Sequence, residues 1–96
     1  MPTKEQILEY LKENKDYLEK ELKIKKIGIF GSYAKDEQVE DSDIDLFVEA
    51  QPDFKRLIML ERMLETKFNK HVDVVRKHNN IRSRFLNLIL KEVIYV

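Results

Sequence analysis

Residues 43–48 read Asp-Ile-Asp-Leu-Phe-Val, and this alternation leaves the backbone few options. Side chains two apart on a strand point to the same face. Ile44 and Leu46 therefore turn toward a core, while Asp43 and Asp45 project together on the other side. Two like charges at that separation repel and destabilise the fold unless something compensates. The economical compensation is a hard divalent cation, which takes oxygen ligands. The strand is expected over Ile44–Val48.

A third carboxylate belongs to the same pattern. Val72–Val75 reads as a short strand in which Asp73 sits between two valines. With Val72 and Val74 facing the core, Asp73 faces outward, on the side of Asp43 and Asp45 if the strands are neighbours. Three carboxylates converging from two strands can hold two Mg²⁺ ions. Metals about 3.5–4 Å apart clamp the attacking and leaving oxygens of an in-line phosphoryl displacement.

The remaining elements follow from periodicity and punctuation. Thr3 with Gln6 reads as a capping box, and Ile7, Leu8, Leu11, Leu18 and Leu22 recur at helical spacing over about residues 4–22, with a break near Asn14. Ile24–Phe30 is apolar, β-branched and ends at Gly31, a strand. Residues 31–42 suggest a turn, a short helix and a loop. Pro52 and Asp53 start a helix with Leu57, Leu60, Leu64 and Phe68 on its apolar face. After His78-Asn79-Asn80 a last helix spans about 81–92, with Ile81, Phe85, Leu88 and Ile89 inward, and Val93–Val96 adds a short strand or packs on the surface. The order α-β-loop-β-α-β-α predicts a small α/β (α+β) sandwich, a mixed sheet with helices packed on one face and the other face open to a ligand or partner. The 96 residues fit one domain, 1–96.

Composition removes several classes. There is no cysteine, hence no disulfide framework, thiol nucleophile or cysteine-held zinc. No apolar run approaches the ~20 residues of a membrane span, and the polar start is no secretory signal, so a cytoplasmic protein is expected. The 18 basic and 18 acidic side chains cancel, which argues against nucleic-acid binding through overall charge. The cancellation is between segments. Residues 1–35 carry 8 basic and 6 acidic groups, 36–54 carry 8 acidic and no basic groups, and 55–96 carry 10 basic and 4 acidic groups, or +2, −8 and +6.

The first strand ends in Gly31-Ser32. A strand turning into a helix there can offer backbone N–H groups and a hydroxyl to an anion, and glycine lets a phosphate approach the backbone closely. A phosphate cradle beside a carboxylate cluster suits a nucleoside triphosphate with Mg²⁺.

Gly31-Ser32, ten intervening residues and then Asp43-Ile44-Asp45, with Asp73 downstream, resembles the signature of the DNA polymerase β-like nucleotidyltransferases. The length and the lead-in Lys25–Phe30 are similar to the minimal nucleotidyltransferases of bacteria and archaea. The resemblance implies a mixed sheet flanked by helices, with Asp43, Asp45 and Asp73 as catalytic and Mg²⁺-binding residues. It implies Gly31, Ser32, Lys35 and Ser42 as the nucleotide-binding group, with Ser42 also fitted to cap a turn. Many such proteins are encoded beside a helical HEPN RNase toxin. The resemblance then implies an antitoxin that moves AMP from ATP to a tyrosine of that toxin and silences it, with the partner completing the site. A heteromer is expected, or a homodimer through an exposed apolar C-terminus. The other readings are an antitoxin that acts by docking alone, and an aminoglycoside-type nucleotidyltransferase, which the missing acceptor domain disfavours.

One departure stands out: family members often carry Arg-Gly where this chain has Lys35-Asp36. Lys35 keeps the charge but not a bidentate contact, and Asp36 adds a negative charge. Elsewhere the plain readings compete. Asp73 can pair with Arg76 or Lys77, Tyr33 can stack on a base or pack, Arg82 and Arg84 can be a solvated face or meet phosphates, and His71 and His78 lack a ligand spacing.

Overall fold

The computed structural model describes residues 1–96. Helix α1 (Lys4–Glu13) begins at the expected capping box: the Gln6 N–H donates to Thr3 Oγ1 at 3.1 Å, and the Thr3 N–H donates to Gln6 Oε1 at 2.9 Å. The helix breaks at Asn14, whose side-chain amide donates to the Tyr10 carbonyl, and resumes as α2 (Lys15–Lys20). Strand β1 (Ile24–Phe30) runs into a single turn of helix, α3 (Gly31–Ala34). Then come β2 (Ile44–Ala50), α4 (Phe54–Phe68), β3 (Val72–Arg76), α5 (Ser83–Glu92) and β4 (Ile94–Tyr95). Asp53 caps α4 by accepting from the Arg56 N–H, and Asn69 ends it in the left-handed region, where asparagine is tolerated.

The sheet order is β3-β2-β1-β4, with β2 and β3 parallel and the other pairs antiparallel, so the sheet is mixed as expected. One face carries Ile27, Ile29, Ile44, Leu46, Val48 and Val72. Onto it pack Ile7 and Leu11 of α1, Leu18 of α2, and Leu60 and Leu64 of α4. Each fully buried Leu or Ile is worth about 1.5–3 kcal/mol relative to exposure, so this layer is the main source of stability.

The second face is not wholly open. Helix α5 crosses it, burying Ile89 against Phe30 and Phe47. Of the residues expected inward, Phe85 packs edge-on against Phe30, ring centroids 6.4 Å apart, yet stays 42% exposed, and Leu88 is 53% exposed, while Leu86 and Ile81 pack against the small cluster. The C-terminal Val93–Val96 is half-buried rather than an exposed apolar tail: β4 pairs with β1, and Ile94 and Val96 pack on the main core. No helix is long and apolar enough to cross a membrane.

Gly28 makes this closure possible. A Cβ there would lie 2.7 Å from both the Ile94 carbonyl oxygen and Val93 Cγ2. Gly28→Ala is expected to destabilise the protein by about 1–3 kcal/mol through overpacking. Thermal melting tests this: a Tm unchanged to within about 1 °C would show that β4 does not close on β1 in this way.

Candidate active site

Strand register assembles the site. Asp45 pairs with Phe30 on the β1 side and with Asp73 on the β3 side, and Ile44 pairs with Val72. Because β2 and β3 are parallel and in step, the Asp45 and Asp73 side chains leave the same face as direct neighbours. Asp43 lies just before β2, and its carboxylate joins that of Asp73 from the exposed end of the sheet. The end of β1 is at the same place, so the Gly31 turn begins beside Asp45. Gly31 has φ +74, and a Cβ built on it would run into Asp45 Oδ2. Only glycine suits this position, for its backbone angle and for the space the carboxylate takes.

The three aspartates differ in setting. Asp43 and Asp73 are exposed, and Asp45 is half-buried. Burial pushes the Asp45 carboxyl up to about 6, and the nearby charges of Asp73, Asp43 and Glu92 add to the shift. His71 completes the group. Its Nδ1 lies 3.4 Å from Asp43 Oδ2 and 3.6 Å from Asp73 Oδ1. The Asp73 charge, followed by that of Asp43, holds the imidazole's proton above the ordinary histidine range. Ligand atoms of Asp43, His71 and Asp73 all lie within 4.8 Å of one another. Carboxylates gathered this closely have the chemistry of a divalent-cation site, and the oxygen donors fit Mg²⁺. His71 had no sequence spacing to betray it. It precedes β3 by one residue, and only the pairing of Ile44 with Val72 brings it to Asp43.

Asp73 takes His71 as its partner, whereas Arg76 donates to the carbonyls of Ala50 and Lys77. Ser42 accepts from the Val39 N–H at 2.9 Å, a turn-closing bond. Ser32 is half-buried in the first turn after Gly31. Tyr33 packs: it is fully buried, and its hydroxyl has no hydrogen-bond partner. Burial and the charges of Glu40 and Asp43 push that phenol up. Arg84 on α5 and Arg82 just before it are exposed. Lys35 is held by Glu92 at 3.3 Å and lies 3.8 Å from Glu37.

The Lys35-Asp36 departure has a structural answer. Asp36 has φ 57, the left-handed conformation that glycine adopts freely and aspartate tolerates better than most residues. Its carboxylate pairs with Lys4 at 2.9 Å. The added charge is thus matched by α1.

Residues 5–96 match the family described as "Polymerase beta, Nucleotidyltransferase". The chain belongs to this nucleotidyltransferase family. A protein adenylyltransferase, MntA, from Thermococcus cleftensis is 37% identical over 98 residues, spanning 100% of this chain and 98% of that one. Among solved structures, a candidate minimal nucleotidyltransferase superposes with a TM-score of 0.70 at 28% identity, covering 91% of this chain and 93% of its own. A toxin–antitoxin solved with AMP-PNP superposes at 0.67 and 23% identity, covering 98% of this chain and 72% of that one, a likeness of fold. The family activity is nucleotidyl transfer, and this chain is a nucleotidyltransferase.

The Asp45 setting makes a stability prediction. Folded Asp45 keeps its proton to about 6 and the ordinary carboxyl value is 3.8, so the folded state binds more protons between these values, and stability falls as pH rises through that window. Asp45→Asn removes the contribution. In metal-free buffer near neutral pH the variant should be more stable by about 1 kcal/mol once solvent screening is allowed for, a few degrees in Tm, with the gap closing as pH falls toward about 4. A lower Tm for the variant near neutral pH would show that the carboxylate is not under strain.

Proposed function

We propose that this nucleotidyltransferase moves AMP from ATP, in the presence of Mg²⁺, to a tyrosine of a partner protein, a helical RNase toxin of the HEPN kind, and silences it. The observation that carries the reading is the in-step pairing of Asp45 with Asp73, which gathers three carboxylates beside the Gly31-Ser32 turn. Full-length similarity to a protein adenylyltransferase supports a protein acceptor. The exposure of Asp43 and Asp73 supports a partner that brings its own tyrosine to that end of the sheet.

In this reading Asp43, Asp45 and Asp73 hold the metal, and Gly31 and Ser32 lie along the triphosphate, with Lys35 at its rim. Bound there, Mg²⁺ would supply positive charge to the phosphate oxygens and to the acceptor oxygen. The tyrosine oxygen attacks the α-phosphorus, the bond from that phosphorus to the bridging oxygen breaks, and pyrophosphate leaves. The tyrosine proton passes to a carboxylate. Asp73 is our choice of base, because it is exposed on the face that an acceptor approaches, whereas Asp45 is half-buried. Ser42 closes its own turn and positions the segment leading to Asp43.

Incubation with labelled ATP, Mg²⁺ and the co-encoded helical protein tests the reading. Label should appear on a tyrosine of the partner, and Asp43→Asn or Asp45→Asn should lower the rate by roughly a hundredfold or more. Silencing of the partner by Asp43→Asn at the same dose as the parent protein would point to docking without chemistry.

A further inference from the structure

Glu92 is the last residue of α5, and its side chain is only 14% exposed. Its two oxygens make two different contacts. Oε2 accepts from the Gly31 N–H at 3.1 Å, across 61 residues of chain, and Oε1 lies 3.3 Å from Lys35 Nζ. Both partners belong to the turn assigned above to the nucleotide's phosphates. The turn is thus bounded by Asp45, which fills the space where a Gly31 side chain would go, and by Glu92, which takes the Gly31 N–H.

Glu92 is itself fixed by rigid elements. Three residues before it, Ile89 is buried against the sheet. The N–H of Val93, one residue after it, donates to the Ile89 carbonyl, and β4 then pairs with β1 at Gly28 and Ile29, two strand residues short of Gly31. The chain therefore closes a short circuit: β1 carries Gly31, β4 lies along β1, and the residue just ahead of β4's approach reaches back to Gly31. Displacing Glu92 would leave a largely buried carboxylate without its backbone donor, a costly arrangement. An incoming phosphate is therefore not expected to replace it.

We propose that Glu92 is a positioning residue for nucleotide binding. It clamps the Gly31 turn and keeps Lys35 at the turn's rim, so that the triphosphate meets a preformed loop and Ser32 rather than the Gly31 N–H. This rests on reading Gly31-Ser32 as the nucleotide turn, and it adds the C-terminal end of α5 to the machinery.

The test uses the full ¹⁵N-labelled chain and two readouts: hydrogen exchange of the Gly31 amide without nucleotide, and the dissociation constant for ATP with Mg²⁺ by calorimetry. Glu92→Ala should lose Gly31 protection and weaken ATP binding by about tenfold. Glu92→Gln keeps an acceptor oxygen and should retain both protection and affinity to within about threefold, since the partly exposed Lys35 pair adds little. Glu92→Asp, with a shorter arm, should behave like the alanine variant, and it carries the test if Glu92→Ala does not fold. Unchanged or tighter ATP binding by Glu92→Ala and Glu92→Asp would overturn the proposal, because the carboxylate would then be a bystander or a plug. So would a glutamine variant as weak as alanine. A parent protein that protects Gly31 through Glu92 yet binds no ATP would overturn the nucleotide reading of the turn, and the clamp's role in binding with it, while leaving the Gly31 contact itself established.

Discussion

Parallel pairing of β2 with β3 sets Asp45 beside Asp73 and leads Asp43 and His71 to the same edge of the sheet. A fold dominated by apolar burial has no reason to gather acids in this way, since their mutual repulsion opposes folding. The apolar layer of α1, α2 and α4 on the opposite face holds the strands in register against that repulsion. The half-buried Asp45, with its raised proton affinity, is where the opposition is most concentrated.

Other parts of the molecule are arranged around this edge. Part of the acidic block at 36–54 is matched by its basic flanks: Lys4 pairs with Asp36, Lys35 with Glu37 and Arg56 with Asp53, while Lys70 donates to the backbone carbonyl of Glu40. Asp43 is left with an exposed histidine, and Asp45 with no ion-pair partner. Neutrality over the whole chain thus conceals a local surplus of negative charge around Asp43, Asp45 and Asp73, where we propose that the chemistry takes place. Helix α5 and β4 serve the same edge from the other side, through Glu92 and the narrow gap at Gly28.

Much of this was legible in the sequence, for identifiable reasons. The Asp-Ile-Asp alternation, the capping box at Thr3 and the glycine at the end of β1 are local signals, and each marks the element it was read as. Asp73 could be read because one acid between valines in a strand has a single outward direction. His71 could not, since nothing local links it to Asp43, and only register does. The role of Glu92 was hidden for the same reason, as its contact spans most of the chain. The apolar face of α5 was overread at Leu88: periodicity marks a helix's apolar residues but not how far round the helix the contact with the sheet extends, and here it takes Ile81, Ile89 and the edge of Phe85 but not Leu88. Asp36 showed the reverse case, in which a departure from a family pattern is absorbed by a left-handed backbone and a lysine from α1.

We take the carboxylate cluster to be a divalent-cation site facing the Gly31-Ser32 turn. Crystals grown with Mn²⁺ and a non-hydrolysable ATP analogue test it most directly, because anomalous scattering locates the metal without assumption. Metal density is expected among Asp43, Asp45 and Asp73, with the analogue's phosphates along Ser32 and the Glu92 carboxylate still on the Gly31 N–H. Nucleotide bound elsewhere, or phosphates seated on the turn with no metal between them and the aspartates, would contradict it.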